Sequence, residues 1–148
     1  MKVNIKKLHE DAIIPSYATD GDACFDLTCV SVEKHGDLFI QYNTGLAMEI
    51  PDGYVGLIFP RSSVTKKSMM LKNSVGIIDS GYRGEISFRY HRFKNEVLGM
   101  SIPSKNIYEV GDRVGQMMII PRPEIELNEV DELSDSERGT GGYGSSGR

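Results

Sequence analysis

The sequence has little of what would tie a protein to a membrane, a disulfide framework or a metal cage. No window approaches the roughly 18 apolar residues of a membrane span, and the opening MKVNIKKLHE lacks the apolar centre of a secretory signal. A chain that is soluble, and cytoplasmic or otherwise intracellular, is the expectation. Cysteine occurs only at Cys24 and Cys29, and no clustered histidine completes a metal set, so neither a disulfide scaffold nor a zinc site is expected. On a strand their odd separation points the two thiols to opposite faces, which reads as structural. His9, His35 and His91 are scattered through polar stretches and read as surface residues. A broad basic stripe is also missing, which argues against a nucleic-acid partner.

The charge that is present is uneven. Glu124 to Glu137, EIELNEVDELSDSE, carries seven acids and no base, whereas residues 1–123 hold 15 Lys and Arg against 14 Asp and Glu. The net charge of −4 therefore belongs to a C-terminal arm, which taken alone reads as a solvated linker.

At 148 residues the chain is one domain's worth. DLFIQYNTGLAMEIPDGYVGLIFPRSS alternates apolar and polar positions, with turns at Asn43-Thr44-Gly45 and Pro51-Asp52-Gly53. GEISFRYHRF sets Ile86, Phe88 and Tyr90 on one face and Ser87, Arg89 and His91 on the other, the period of a half-buried strand. Helical periodicity is nearly absent; the best candidate is a turn or two in RSSVTKKSMML after Pro60, with a Ser as its cap. FKNEVLGMSIPSKNIYEVGD reads as a long excursion between strands. An all-β sandwich or barrel without internal repeats follows.

Three stretches carry chemistry. The terminal RGTGGYGSSGR contains G-x-G-x-x-G at Gly139, Gly141 and Gly144, but a dinucleotide fingerprint must follow a strand and open a helix. Such a segment is either a flexible tail or a ligand-ordered wrap, its amides on phosphates and the Tyr143 ring on a flat group. IDSGYRGE puts Asp79 three residues before Tyr82, a pattern that turn chemistry alone also explains. FPRSS offers Arg61, Ser62 and Ser63 at a strand end, either as an anion site or as a helix cap with a surface arginine.

Taken together, ACFDL (23–27), PRSS (60–63), GIIDSGYRGE (76–85), GDRVGQMMIIP (111–121) and RGTGGYGSSG (138–147) resemble the five ordered motifs of the trimeric dUTPases. The resemblance implies jelly-roll-like (β-clip) subunits in a homotrimer, with sites at subunit interfaces and a swapped C-terminal arm. Residues 1–123 would be the β domain, 124–137 the linker arm and 138–148 a tail that closes the site. It implies hydrolysis of dUTP to dUMP and diphosphate, with Asp79 as the base that holds the attacking water. Asp26 would reach a Mg²⁺ ion through water; Arg61, Ser62, Ser63, Gln116 and Arg138 would contact the phosphates, Ser62 near the bond that breaks. A hairpin from about Asn73 to Tyr82, including Gly76 and Ile78, would read the uracil edge, and Tyr82 would lie against the sugar and exclude a 2′-hydroxyl. Tyr143, where the family commonly has Phe, would stack on uracil while Gly142, Gly144 and Ser145 close around the triphosphate.

The sequence departs from the family pattern in places. Cys24 stands for a usual Gly beside Asp26, Gly81 for a frequent Asp and Gly115 for a usual Ala, while residues 94–106 make a longer excursion. Asp112 and Arg113 read as structural, as an interface ion pair. Two other readings stay open: a dCTP deaminase or bifunctional enzyme of the same fold, with Glu85 the only other acid close to the hairpin, and a regulatory protein binder switched by nucleotide.

Overall fold

The computed structural model describes residues 1–93, 96–97, 100–101 and 106–142. Twelve strands occur among them: β1 (Asn4–Lys7), β2 (Phe25–Thr28), β3 (Ser31–His35), β4 (Phe39–Asn43), β5 (Leu46–Glu49), β6 (Tyr54–Phe59), β7 (Met69–Leu71), β8 (Gly76–Ile78), β9 (Ser87–Arg92), β10 (Glu96–Val97), β11 (Met100–Ser101) and β12 (Arg113–Pro121). They form two four-stranded antiparallel sheets, ordered β2-β12-β6-β8 and β3-β4-β9-β7, and two small ribbons, β1-β5 and β10-β11. The all-β expectation holds. Among the described residues no helix is long and apolar enough to cross a membrane.

Alternation sets which side chains fill the space between the sheets. On β9, Phe88 and Tyr90 are buried while Arg89 is exposed, and Ile86 just before the strand is buried too, the face that the sequence pattern marks. Leu27, Ile58, Val114 and Met117 meet them from the other sheet in a single core. Each fully buried large side chain of this kind contributes about 1.5–3 kcal/mol. Tyr42, Tyr90 and Tyr108 form an edge-on ring cluster with centroids 5.4–5.8 Å apart. The Tyr90 hydroxyl donates to Val114 O at 2.7 Å, which satisfies it inside the core.

The departure at Gly115 has its reason here: a Cβ at that position would come within 2.0 Å of Phe88 Cε1. The large ring and the missing methyl are two halves of one fit.

The turn after Pro60 is a single 3-10 helix, Ser62–Lys66. No Ser caps it. Arg61 occupies the N-cap position without a side-chain capping bond, because a guanidinium has no acceptor to offer the free N–H groups; it donates to Asp26 instead. Beyond β12 the chain leaves the sheets; Arg122 N still donates to Gly53 O at 2.7 Å, after which Ile125, Leu127 and Leu133 are 71%, 91% and 88% exposed. The outer face of the first sheet is apolar as well: Ile77, Leu57 and Met118 stand level across β8, β6 and β12, and Ile77 is 59% exposed.

Candidate active site

The segment from about Asn73 to Tyr82, expected to be a hairpin, holds one strand, β8, followed by the Asp79–Tyr82 turn, and is entered through a crossover between sheets. β7 pairs only with β9 and β8 only with β6, so Lys72–Val75 carries the chain from the edge of one sheet to the edge of the other. The expectation of a hairpin is corrected because two short apolar strands separated by turn residues look alike in sequence whether they pair or part. The difference matters chemically: β8 is an edge strand, and its free backbone groups face outward for a ligand instead of a partner strand. The turn itself is tight, with Ser74 at φ 61, a left-handed conformation uncommon outside glycine, and Val75 N donating to Asn73 O at 2.6 Å.

Where the two edges separate lies a pocket of about 560 Å³, lined by Asn73, Gly76, Ile78, Asp79 and Tyr82. A Cβ on Gly76 would come 2.3 Å from Ile58 Cγ1 and 3.3 Å from Asn73 Nδ2, so the pocket floor depends on the absence of a side chain there. Asp79 directly follows β8, and Tyr82 N donates to Asp79 O at 3.1 Å, which turns the chain so that both side chains share the opening. Glu85 also lines it, but its Oε1 accepts the Gly45 amide at 2.6 Å and so anchors the turn.

Sequence reasoning missed the rim. Phe39 of β4 lies there with Lys72 Nζ 5.6 Å and the Arg89 guanidinium 4.9 Å from its ring centroid, two cation–π contacts. These residues are far apart in the chain and belong to no motif, so only the pairing of β4 with β9 reveals them.

A second cluster gathers the remaining motif residues. Asp26 on β2 stands opposite Gln116 on β12. Arg61 Nε donates to Asp26 Oδ1 at 2.6 Å and Arg113 to Asp26 Oδ2 at 2.9 Å. Arg61 also reaches Ser63 Oγ at 3.3 Å, and Gln116 Nε2 donates to Pro60 O at 3.0 Å, tying the Arg61–Ser63 turn to the sheet. Within the chain Arg113 is held by Asp26, and the Asp112 carboxylate accepts the Glu109 amide at 2.9 Å and caps the turn. Burial first, and the Asp26 charge second, push the Cys24 thiol above its ordinary range, which disfavours the thiolate.

The two clusters lie apart within one chain. In the β6–β8 register Gly56 faces Ile78, which puts Asp79 level with Val55, and from there to Arg61 is roughly 20 Å at 3.3 Å per residue. None of Asp26, Arg61, Ser62, Ser63 and Gln116 lines the pocket that holds Asp79. Arg138, exposed, donates to Gly141 O at 2.9 Å within a run of turns, and Gly142 is exposed beside it. Tyr143, Gly144 and Ser145 lie outside the described residues.

No group of three or more His, Cys, Asp or Glu side chains is poised to hold a metal among the described residues. A single carboxylate such as Asp26 is compatible with a Mg²⁺ that keeps its waters and takes most of its ligands from a substrate's phosphates. Asp26, 23% exposed, has carboxylate lone pairs left for a metal-bound water.

Comparison with known proteins gives a consistent result. A deoxyuridine 5'-triphosphate nucleotidohydrolase from Hydrogenobaculum sp. (strain Y04AAS1) is 41% identical, with 99% of each chain covered. Among solved structures, a dUTPase mutant of Staphylococcus bacteriophage 80alpha with dUpNHpp superposes with a TM-score of 0.81 at 28% identity, covering 99% of each chain. A mutant dUTPase from phage phi11 of S. aureus, described with a structural Mg(II) ion, gives a TM-score of 0.71 at 25% identity over 90% of this chain and 99% of its own. The family model described as dUTPase matches residues 10–147. With the match running through nearly the whole chain and the identity this high from end to end, the chain belongs to the dUTPase family.

Proposed function

We propose that this chain hydrolyses dUTP to dUMP and diphosphate, as a homotrimer whose sites are completed between subunits. The observation that carries the reading is the pocket at the parted sheet edges, which sets the Asp79 carboxylate beside an open β-edge and the Tyr82 ring. The free backbone of Gly76–Ile78, with Asn73, reads the polar edge of uracil, while Tyr82 lies against the deoxyribose. A slot that satisfies one base edge rejects another by leaving its own groups unpaired.

A water held by Asp79 attacks the α-phosphorus; the new P–O bond forms as the bond to the β-phosphate bridging oxygen breaks, and the water's proton passes to the carboxylate. Diphosphate leaves with the negative charge that Arg61, Ser62, Ser63 and Gln116 stabilise through hydrogen bonds. A bound Mg²⁺ neutralises triphosphate charge and fixes its conformation, with Asp26 as the residue that holds it through water. Arg138 joins the phosphate contacts, and Gly142, Tyr143, Gly144 and Ser145 close over the nucleotide.

Assembly follows from the distances. Asp79 and Arg61 must both act on the same phosphate chain, and a backbone separation of roughly 20 Å within one subunit favours supplying them from two different subunits. The exposed apolar row at Ile77 and the exposed arm side chains Ile125, Leu127 and Leu133 supply surface for a neighbour to cover. The number three comes from the family resemblance. Residues 1–123 form the β domain, 124–137 the arm that crosses to a neighbour and 138–148 the closing tail. The nucleotide substrate places the work inside the cell.

Deamination of dCTP is not favoured, because the relatives matched from end to end at about 40% identity are named deoxyuridine 5'-triphosphate nucleotidohydrolases. The test is diphosphate release from dUTP, dCTP, dTTP and UTP, each with Mg²⁺ and with chelator. Release from dUTP alone, dependent on Mg²⁺, is expected. Release from dCTP would overturn the assignment in favour of a bifunctional enzyme, and silence on all four would overturn catalysis itself.

A further inference from the structure

The turn beyond Asp79 contains a glycine that the reaction above does not use. Gly84 has a backbone conformation outside the left-handed region, so conformational freedom is not what the position needs. It needs space: a Cβ there would come 2.4 Å from Tyr82 Oη, 2.5 Å from Cζ and 2.9 Å from Cε2. The Tyr82 ring thus lies across the bare backbone of Gly84, and its hydroxyl passes beyond it to donate to Glu85 O at 3.0 Å.

The platform beneath the ring is tied down on every side. Gly45 N donates to Glu85 Oε1 at 2.6 Å, Ile86 N to Leu46 O at 2.8 Å, and Arg83 to Ser80 O at 2.6 Å and to Glu49 Oε1 at 3.3 Å. The ring is the movable half of the contact, since Tyr82 is 43% exposed and outside the core.

We propose that Gly84 is a positioning residue for sugar selection: the missing side chain lets the Tyr82 ring rest at one place, where it closes the pocket to a 2′-hydroxyl. The inference rests on the reading of Tyr82 as the sugar wall. A ring held in one place leaves an added hydroxyl no room and no partner, and a buried unpaired hydroxyl costs binding. A methyl at 84 lifts the ring off its seat, breaks the bond to Glu85 O and opens that space.

The experiment compares kcat/KM for dUTP and UTP in the full-length protein and in Gly84→Ala, Tyr82→Ala and the double variant, with Tm measured for each. Gly84→Ala is expected to lower the dUTP-over-UTP preference by roughly tenfold or more, through KM more than kcat, with Tm near that of the parent. Because Gly84 acts through the ring, the double variant should be no less selective than Tyr82→Ala alone, a non-additive cycle. Unchanged selectivity in Gly84→Ala, or effects that multiply in the double variant, would overturn the proposal. So would a Gly84→Ala chain that fails to fold, since the platform and not the ring would then have yielded. Were Tyr82→Ala to keep the parent's preference, the sugar-wall reading would fall and this inference with it, while dUTP hydrolysis by the parent would stand independently.

Discussion

The pocket at Asp79 and the cluster around Asp26 are built by opposite means. The pocket is made by omission: Gly76 and Gly84 lack side chains, and among the described residues β8 has no outer neighbour. The cluster is fully furnished, with Asp26 already holding Arg61 and Arg113, and Gln116 holding Pro60 O. A ligand enters the first without displacing a protein contact and must exchange contacts in the second. Partly exposed ion pairs are worth only about 1 kcal/mol or less, so a triphosphate carrying several charges is well matched to that exchange. One half of the site selects by shape and the other answers to charge.

The most damaging change to this division is Asp79→Asn, which leaves the shape of the slot intact. Nucleotide affinity should persist by calorimetric titration while single-turnover rates fall by roughly 10²–10⁴, the worth of a positioned base; near-normal turnover would remove Asp79 from that role. Stopping the chain after Glu137 spares both clusters. It should keep fold and oligomer by size-exclusion chromatography yet lose roughly 10² or more in turnover, the usual consequence of losing closure. Loss of the oligomer instead would make the tail a structural element.

Asp26→Asn sharpens the contrast. Without a divalent cation the variant should bind inorganic diphosphate more tightly than the parent, by roughly fivefold for about 1 kcal/mol, because Arg61 is released from its carboxylate. Weaker binding would mean that Asp26 orients Arg61 and does not occupy it.

The smallest effect is on the scaffold that both halves share. Burial pushes the Cys29 thiol up to about 11 from an ordinary value of 9.0. The fold favours the protonated form, so this contribution is complete below pH 9 and is lost as pH rises toward 11. Unfolding free energies from urea titration should fall across that window by on the order of 1–2 kcal/mol, and Cys29→Ala should flatten the limb. An unchanged limb would assign it to the buried Tyr42 and Tyr90 hydroxyls, which burial also pushes up.

What the sequence made legible followed local rules. Ile86, Phe88 and Tyr90 are buried because period two is enforced by the strand itself. The helical turn after Pro60 is present, but it starts at Ser62, so the N-cap position falls on Arg61, a side chain without an acceptor, and no Ser caps it. Arg113 shows the limit of local rules: its neighbour Asp112 caps a turn, and its partner within the chain is 87 residues distant. The supposed hairpin failed for a related reason, because pairing partners are set by the whole sandwich. Gly115 and Gly84 look like ordinary glycines in the chain; only Phe88 and Tyr82 explain them.

The arm carries one further consequence. Ile125, Leu127, Val130 and Leu133 are all exposed, and seven acids are interleaved through the same segment. An uncovered apolar, strand-like sequence is the kind that adheres to its own copies while a protein is being made. Interspersed carboxylates act as gatekeepers against that outcome, keeping such segments soluble by mutual repulsion. The acidity of residues 124–137 then has a protective side: it keeps these exposed apolar side chains from adhering to copies of the same segment.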